Sequence, residues 1–122
     1  MDLIRFNYKN NGEDAGAVTI HIDIDGLMLW QYVYKADDKK FEGNYRDKKP
    51  HVHALGMPSE LELDSNEWEV RLINSSDDSR DYKIKIVWRQ DGNDLFVWEK
   101  SDTLIPAEPA KRLTGSALLA GK

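Results

Sequence analysis

The sequence predicts an all-β chain, an antiparallel two-sheet β-sandwich of seven or eight strands with an immunoglobulin-like or jelly-roll-like architecture. Three observations carry that prediction. Apolar and polar residues alternate with period two over much of the chain. Turn chemistry punctuates the alternating runs at Asp25-Gly26, Ser75 to Ser79 and Asp91-Gly92. No segment has the spacing of an amphipathic helix able to cover a sheet, so two sheets must cover each other. A β-barrel is the second choice.

Leu3 to Tyr8 is the first strand candidate, ended by the turn-rich run Asn10 to Gly16. Val18 to Tyr34 then reads as two strands folded about Asp25-Gly26, a dipeptide suited to a two-residue hairpin turn. Such a turn pairs Ile24 with Leu27, Ile22 with Leu29, Ile20 with Gln31 and Val18 with Val33, giving an apolar side that needs cover. The reverse side carries Thr19, His21 and Asp23 beside Met28, Trp30, Tyr32 and Tyr34.

Residues 35 to 49 hold six basic and four acidic side chains and read as a long surface loop or edge excursion. His51 to Leu55 is a short segment bounded by Pro50 and Gly56, and Leu61 with Leu63 marks another before a turn at Ser65-Asn66. Trp68, Val70 and Leu72, followed by Tyr82, Ile84, Ile86 and Trp88, form a second long hairpin in which packing prefers Trp68 beside Trp88. A further turn at Asp91-Gly92-Asn93-Asp94 returns the chain with Phe96 and Trp98 on one face. Leu113 to Leu119 is a last strand, with a short helical tail as the alternative.

At 122 residues and 40% hydrophobic content, the chain has enough apolar material for one core, so residues 1–122 form one domain. The formal charge of −5 repels polyphosphate, which disfavours nucleic-acid binding, and no run of apolar residues is long enough for membrane insertion. With no cysteine, the chain has no disulfide, thiol nucleophile or iron–sulfur site. The amino terminus lacks a signal-peptide pattern, so the expected location is cytoplasmic, with a mature secreted fragment as the alternative. Asn74-Ser75-Ser76 is a formal glycosylation acceptor.

Three groups of residues are site candidates. Met28, Trp30, Tyr32 and Tyr34, with His21 and Asp23, would form a ligand-binding face, since flat rings beside polar groups stack on sugars or anchor a protein. The competing reading makes that strand central and buried. His51-x-His53 places two imidazoles on one strand face, where a divalent metal would need a third ligand such as His21, Glu60 or Asp23; otherwise both histidines face solvent on an edge strand. Acidic loop tips at Glu13-Asp14, Asp37-Asp38, Asp77-Asp78 and Asp91/Asp94 would bind calcium only if several converged. His21-x-Asp23-x-Asp25-Gly26 also echoes a calcium loop, but Tyr32 stands where the bidentate acid belongs.

No nucleophile elbow or phosphate-cradling glycine loop is present, so an enzyme is the less favoured reading. The expected function is a non-enzymatic module recognising a protein or saccharide, with no cofactor other than a possible divalent metal. The alternatives are a small metal-binding protein or metalloenzyme using His51 and His53, and a structural subunit that forms homo-oligomers through edge strands.

Overall fold

A computed structural model describes residues 4–8, 16–61 and 64–121. Among these lie nine strands: β1 (Ile4–Tyr8), β2 (Val18–Asp25), β3 (Leu29–Ala36), β4 (Lys39–Asn44), β5 (His51–Gly56), β6 (Asp64–Ile73), β7 (Arg80–Gln90), β8 (Asn93–Leu104) and β9 (Ala110–Gly121). They form a five-stranded sheet of order β1-β9-β6-β3-β4 and a four-stranded sheet of order β5-β2-β7-β8. Every pairing is antiparallel except that of β1 with β9. The sheets pack face to face and do not close into a barrel. Among the described residues there is no helix long and apolar enough to cross a membrane.

The first hairpin expected from sequence is not formed. β2 pairs with β5 and β7, while β3 pairs with β4 and β6, so the two strands lie in opposite sheets. A two-residue hairpin would bury Leu27, Leu29 and Val33 opposite the isoleucines. The crossing instead turns the even-numbered residues of both strands inward: Val18, Ile20, Ile22 and Ile24 from one sheet, Met28, Trp30, Tyr32, Tyr34 and Ala36 from the other. Burying a large side chain contributes about 1.5–3 kcal/mol and each aromatic ring covers on the order of 150–250 Å², so three rings and a methionine outweigh three aliphatics.

The same correction applies to the second expected hairpin. β6 and β7 also lie in opposite sheets, and Trp68 and Trp88 are indeed neighbours, with ring centroids 5.1 Å apart, but across the core rather than along a sheet. The crossing loop is built around Asn74, which is 2% exposed. Its amide donates to the carbonyls of Asp78 (2.8 Å) and Leu104 (3.0 Å), and its carbonyl accepts from Ser76 N (3.1 Å) and Ser76 Oγ (2.7 Å). The formal glycosylation acceptor is thus an internal structural residue.

Two true hairpins are present among the described residues. Asp91-Gly92, with φ of 52° and 76°, links β7 to β8 as its residue types require. Asp37-Asp38 links β3 to β4, so the region expected as a loop begins as a strand pair. Ser65 and Asn66 belong to β6 rather than a turn, and the carboxy-terminal segment is strand β9 rather than helix. Residues 9–15 and 62–63, which include much of the first expected turn, Glu13-Asp14 and Leu63, lie outside the described residues.

Two glycines make room for core rings. A Cβ on Gly43 would lie 2.4 Å from Tyr32 Cε1, and one on Gly115 would lie 2.4 Å from Trp68 Cε2 and Nε1. Each is the cross-strand partner of the ring it accommodates. Deeper in the core, Tyr34 donates to Asn66 Oδ1 (2.5 Å) and accepts from Trp88 Nε1 (2.7 Å), tying the two sheets together.

Candidate functional site

The aromatic residues expected on an open face are inside the sandwich: Trp30 is 7% exposed, Tyr32 2%, Tyr34 0% and Met28 9%. His21 and Asp23 alternate with the buried isoleucines of β2 and therefore lie on the outer side of the opposite sheet. The six residues consequently do not form one surface. Parity is the reason, since β2 and β3 both turn even numbers inward and leave odd numbers out.

His51 and His53 point inward from β5, an edge strand, rather than toward solvent; His51 is 8% exposed. Their sheet faces β3, so both rings reach the phenol of Tyr32, whose oxygen lies 2.8 Å from His51 Nδ1 and 2.8 Å from His53 Nε2. Phe41 stacks on His53 with centroids 4.6 Å apart, and Trp30 meets His51 edge-on at 5.5 Å.

A phenol has one proton, so it donates to one imidazole and accepts from the other. Nε2 of His51 is buried and has no hydrogen-bond partner among the described residues. An orphaned acceptor costs less than an orphaned N–H, which assigns the proton to His51 Nδ1 and directs the phenol proton to His53 Nε2. Burial pushes the Tyr32 hydroxyl up to about 12, with the nearby Asp47 carboxylate adding to the rise. Burial, and then the neighbouring His51, holds His53 below its ordinary value. Tyr32 and His53 are therefore both neutral near pH 7.

Chemically it is a short hydrogen-bonded chain from His51 through Tyr32 to His53. Of the three described surface depressions, none is lined by Tyr32, His51 or His53. A metal reading has two imidazoles there, while His21 sits on the far face of the sheet. No group of three or more His, Cys, Asp or Glu able to hold a metal ion occurs among the described residues. The pair thus falls short of the three protein ligands such a site needs.

Apolar surface appears elsewhere. On the outer face of the five-stranded sheet, Leu29 and Ile73 are cross-strand partners, 37% and 47% exposed. With Tyr45, 42% exposed, they line a shallow depression of about 350 Å³ bordered by Arg46 and Arg71. Tyr45 is held in a tight turn. Its N–H donates to the Trp30 carbonyl (3.0 Å), Asn44 N donates to Asp47 Oδ2 (2.8 Å) and Arg46 N donates to Asn44 Oδ1 (2.8 Å). The Arg46 guanidinium lies 5.4 Å from the Tyr45 ring centroid. Sequence reading passed over these residues, although a signal existed: Glu67, Glu69 and Arg71 make the outer face of β6 polar until Ile73 breaks the pattern.

A larger depression of about 690 Å³ is lined by Lys35, Lys40, Glu67, Glu69 and Arg112 of the five-stranded sheet together with Trp98 and Lys100 of the opposite sheet. Some of its charges are paired. Arg112 pairs with Glu69 at 2.9 Å and Lys40 with Glu42 at 2.9 Å. Hydrogen bonds from Arg71 and Arg112 hold the Glu69 carboxyl below its ordinary value. Exposed pairs of this kind contribute little to stability. In comparisons with known proteins, the chain matches no family model, no curated protein and no solved structure.

Proposed function

We propose that this chain is a non-enzymatic binding module that recognises a protein through the Leu29, Tyr45 and Ile73 end of its five-stranded sheet. The observation that carries the reading is the contiguity of three exposed apolar side chains around one depression, rimmed by two arginines. Tyrosine and arginine, with an aliphatic centre, are the types that concentrate binding energy in protein interfaces. Branched aliphatic side chains offer no flat surface for a sugar ring, and Tyr45 is the one exposed aromatic lining the depression, Trp30 being buried, which favours a protein over a saccharide. The enzymatic reading finds less support because the histidine–tyrosine cluster is mostly buried and lines none of the described depressions.

The test compares affinity capture from a lysate by wild-type chain, Ile73→Asp, and Asp38→Lys at the opposite end of β3. Proteins retained by wild type and Asp38→Lys but lost with Ile73→Asp support the assignment. Equal retention by all three rejects it.

A further inference from the structure

A row of side chains crosses the whole outer face of the four-stranded sheet. Val52 on β5 is the register partner of His21 on β2, His21 of Val87 on β7, and Val87 of Val97 on β8. Val52 is 42% exposed and Val97 39%, while Val87 forms the floor between them. Exposed valines on both edge strands, with His21 and the buried Val87 between them, make this row across the strands less polar than alternation alone would leave it.

The charges beside this row are segregated by strand. β2 contributes Asp23 and Asp25; β7 contributes Lys85 and Lys83, in register with them. Among the described residues Asp25 and Lys85 hold no ion pair, whereas Asp23 pairs with Lys49 (3.1 Å) and Lys83 with Glu99 (3.0 Å), both at exposed sites.

We propose that this face is self-complementary and that its occupant is a second copy of the chain, related by a twofold axis that runs parallel to the strands between β2 and β7. Under that operation β2 of one copy covers β7 of the other and β5 covers β8. Val52 meets Val97 of the second copy, His21 meets Val87, Asp23 meets Lys85 and Asp25 meets Lys83. Every contact occurs twice, as an isologous interface requires. A twofold axis along the row instead would set Lys85 against Arg89 and Glu99 near Asp94, repelling at both positions. Charge therefore selects one orientation as well as the partner.

Size sets the expected strength. Four strands about 4.8 Å apart, over about eight residues of roughly 3.3 Å each, span on the order of 500 Å² of plane. That lies toward the low end of what specific interfaces use per partner, so the association should be micromolar and reversible rather than obligate. It differs from edge-strand pairing, because no backbone hydrogen bond crosses between copies, and it leaves the Leu29–Ile73 patch on the other sheet free.

Sedimentation equilibrium of the full chain tests the proposal. Wild type should dimerise, and Val52→Asp with Val97→Asp should be monomeric. Asp23→Lys with Asp25→Lys, and separately Lys83→Asp with Lys85→Asp, should each weaken self-association about ten-fold or more. Mixing the two charge variants should restore a one-to-one dimer, because one then presents four lysines to the other's four aspartates. All four positions are at the surface, so circular dichroism should show an unchanged fold. Ile73→Asp should leave the dimer intact. A wild-type chain that stays monomeric at about 1 mM, a dimer broken by Ile73→Asp, or charge variants that fail to recover on mixing would overturn the proposal.

Discussion

Tyr32 and His51 join the two sheets: the phenol oxygen on β3 lies 2.8 Å from Nδ1 of a histidine on edge strand β5, and the same oxygen lies 2.8 Å from His53 two residues on. β5 has only β2 as a ladder neighbour, so this cross-layer bridge contributes to holding it down. Replacing Tyr32 by Phe keeps the ring against Gly43 and removes only the hydroxyl, leaving an imidazole nitrogen on each histidine without its partner, the one on His51 buried. We expect Tyr32→Phe to lower stability by about 1–3 kcal/mol in urea denaturation, the cost of unsatisfied buried polar groups. Tyr45→Phe, whose exposed hydroxyl accepts from Arg46 Nε (3.0 Å), should change stability by less than about 0.5 kcal/mol. Equal effects for the two would show that the buried bridge carries no special weight.

The histidines also predict a pH dependence. Burial and His51 hold His53 below its ordinary 6.5, so the unfolded chain takes up a proton before the folded one does. Unfolding is then accompanied by proton uptake, and stability rises with pH where the two states differ. It should be level above about pH 7 and fall as pH drops through 6.5 toward about pH 5. His21, lowered by burial and by Arg89, acts in the same direction. Urea midpoints across this range should show the decline in wild type and a shallower one in His53→Gln, which keeps an acceptor for the phenol but cannot titrate. An identical slope in the variant would place the effect elsewhere.

How far the sequence is legible is clearest at its two Asp-Gly turns. Asp91-Gly92 makes the hairpin its residues suggest, yet Asp25-Gly26 does not: Gly26 sits at φ 153° and the chain passes to the other sheet. A clue was present. The buried positions 18, 20, 22 and 24 continue as 28, 30, 32, 34 and 36 without a change of phase, whereas a two-residue hairpin reverses phase. That clue is not decisive, because phase is also unbroken from Trp88 to Phe96, where a register shift absorbs one residue. Choosing between a bulge and a crossing depends on which distant strands are available, and local pattern does not contain that. The sandwich and most strands are therefore legible, but β4 reads as loop and pairing is not legible. With pairing goes the site: of the two readings of the Trp30 and Tyr32 side, open face or buried strand, the core is the one that forms.

Glycine substitutions separate crowding from backbone strain. Gly43→Ala and Gly115→Ala each drive a Cβ into a buried ring and should cost about 1–3 kcal/mol, as overpacking does. Gly92→Ala meets nothing within 4 Å but sits at φ 76°, so it should cost about 1–2 kcal/mol through the backbone alone. Asparagine tells the mechanisms apart. At position 92 it tolerates positive φ and should recover much of the loss, whereas at 43 or 115 its larger side chain should make matters worse. Thermal denaturation of these variants checks the ordering, and a Gly92→Asn as unstable as Gly92→Ala would contradict it.

Asn74 provides a case in which the smaller change should be the more damaging. Asn74→Ala removes two donors and an acceptor at the β6–β7 crossing, leaving the Asp78 and Leu104 carbonyls and the Ser76 N–H without that partner. Asn74→Asp is nearly isosteric and keeps the acceptor for Ser76, yet it sets a carboxylate oxygen against two carbonyl oxygens at a site only 2% exposed. Stranding buried groups costs about 1–3 kcal/mol each, more when a charge is involved. At pH 7 the aspartate variant should therefore be less stable than the alanine one. Acidification should narrow the gap, because a protonated carboxyl regains one donor. Denaturation of both variants at pH 7 and about pH 4.5 measures this, and an aspartate variant more stable than alanine at pH 7 would show that the crossing relies on Ser76 rather than on the two carbonyls.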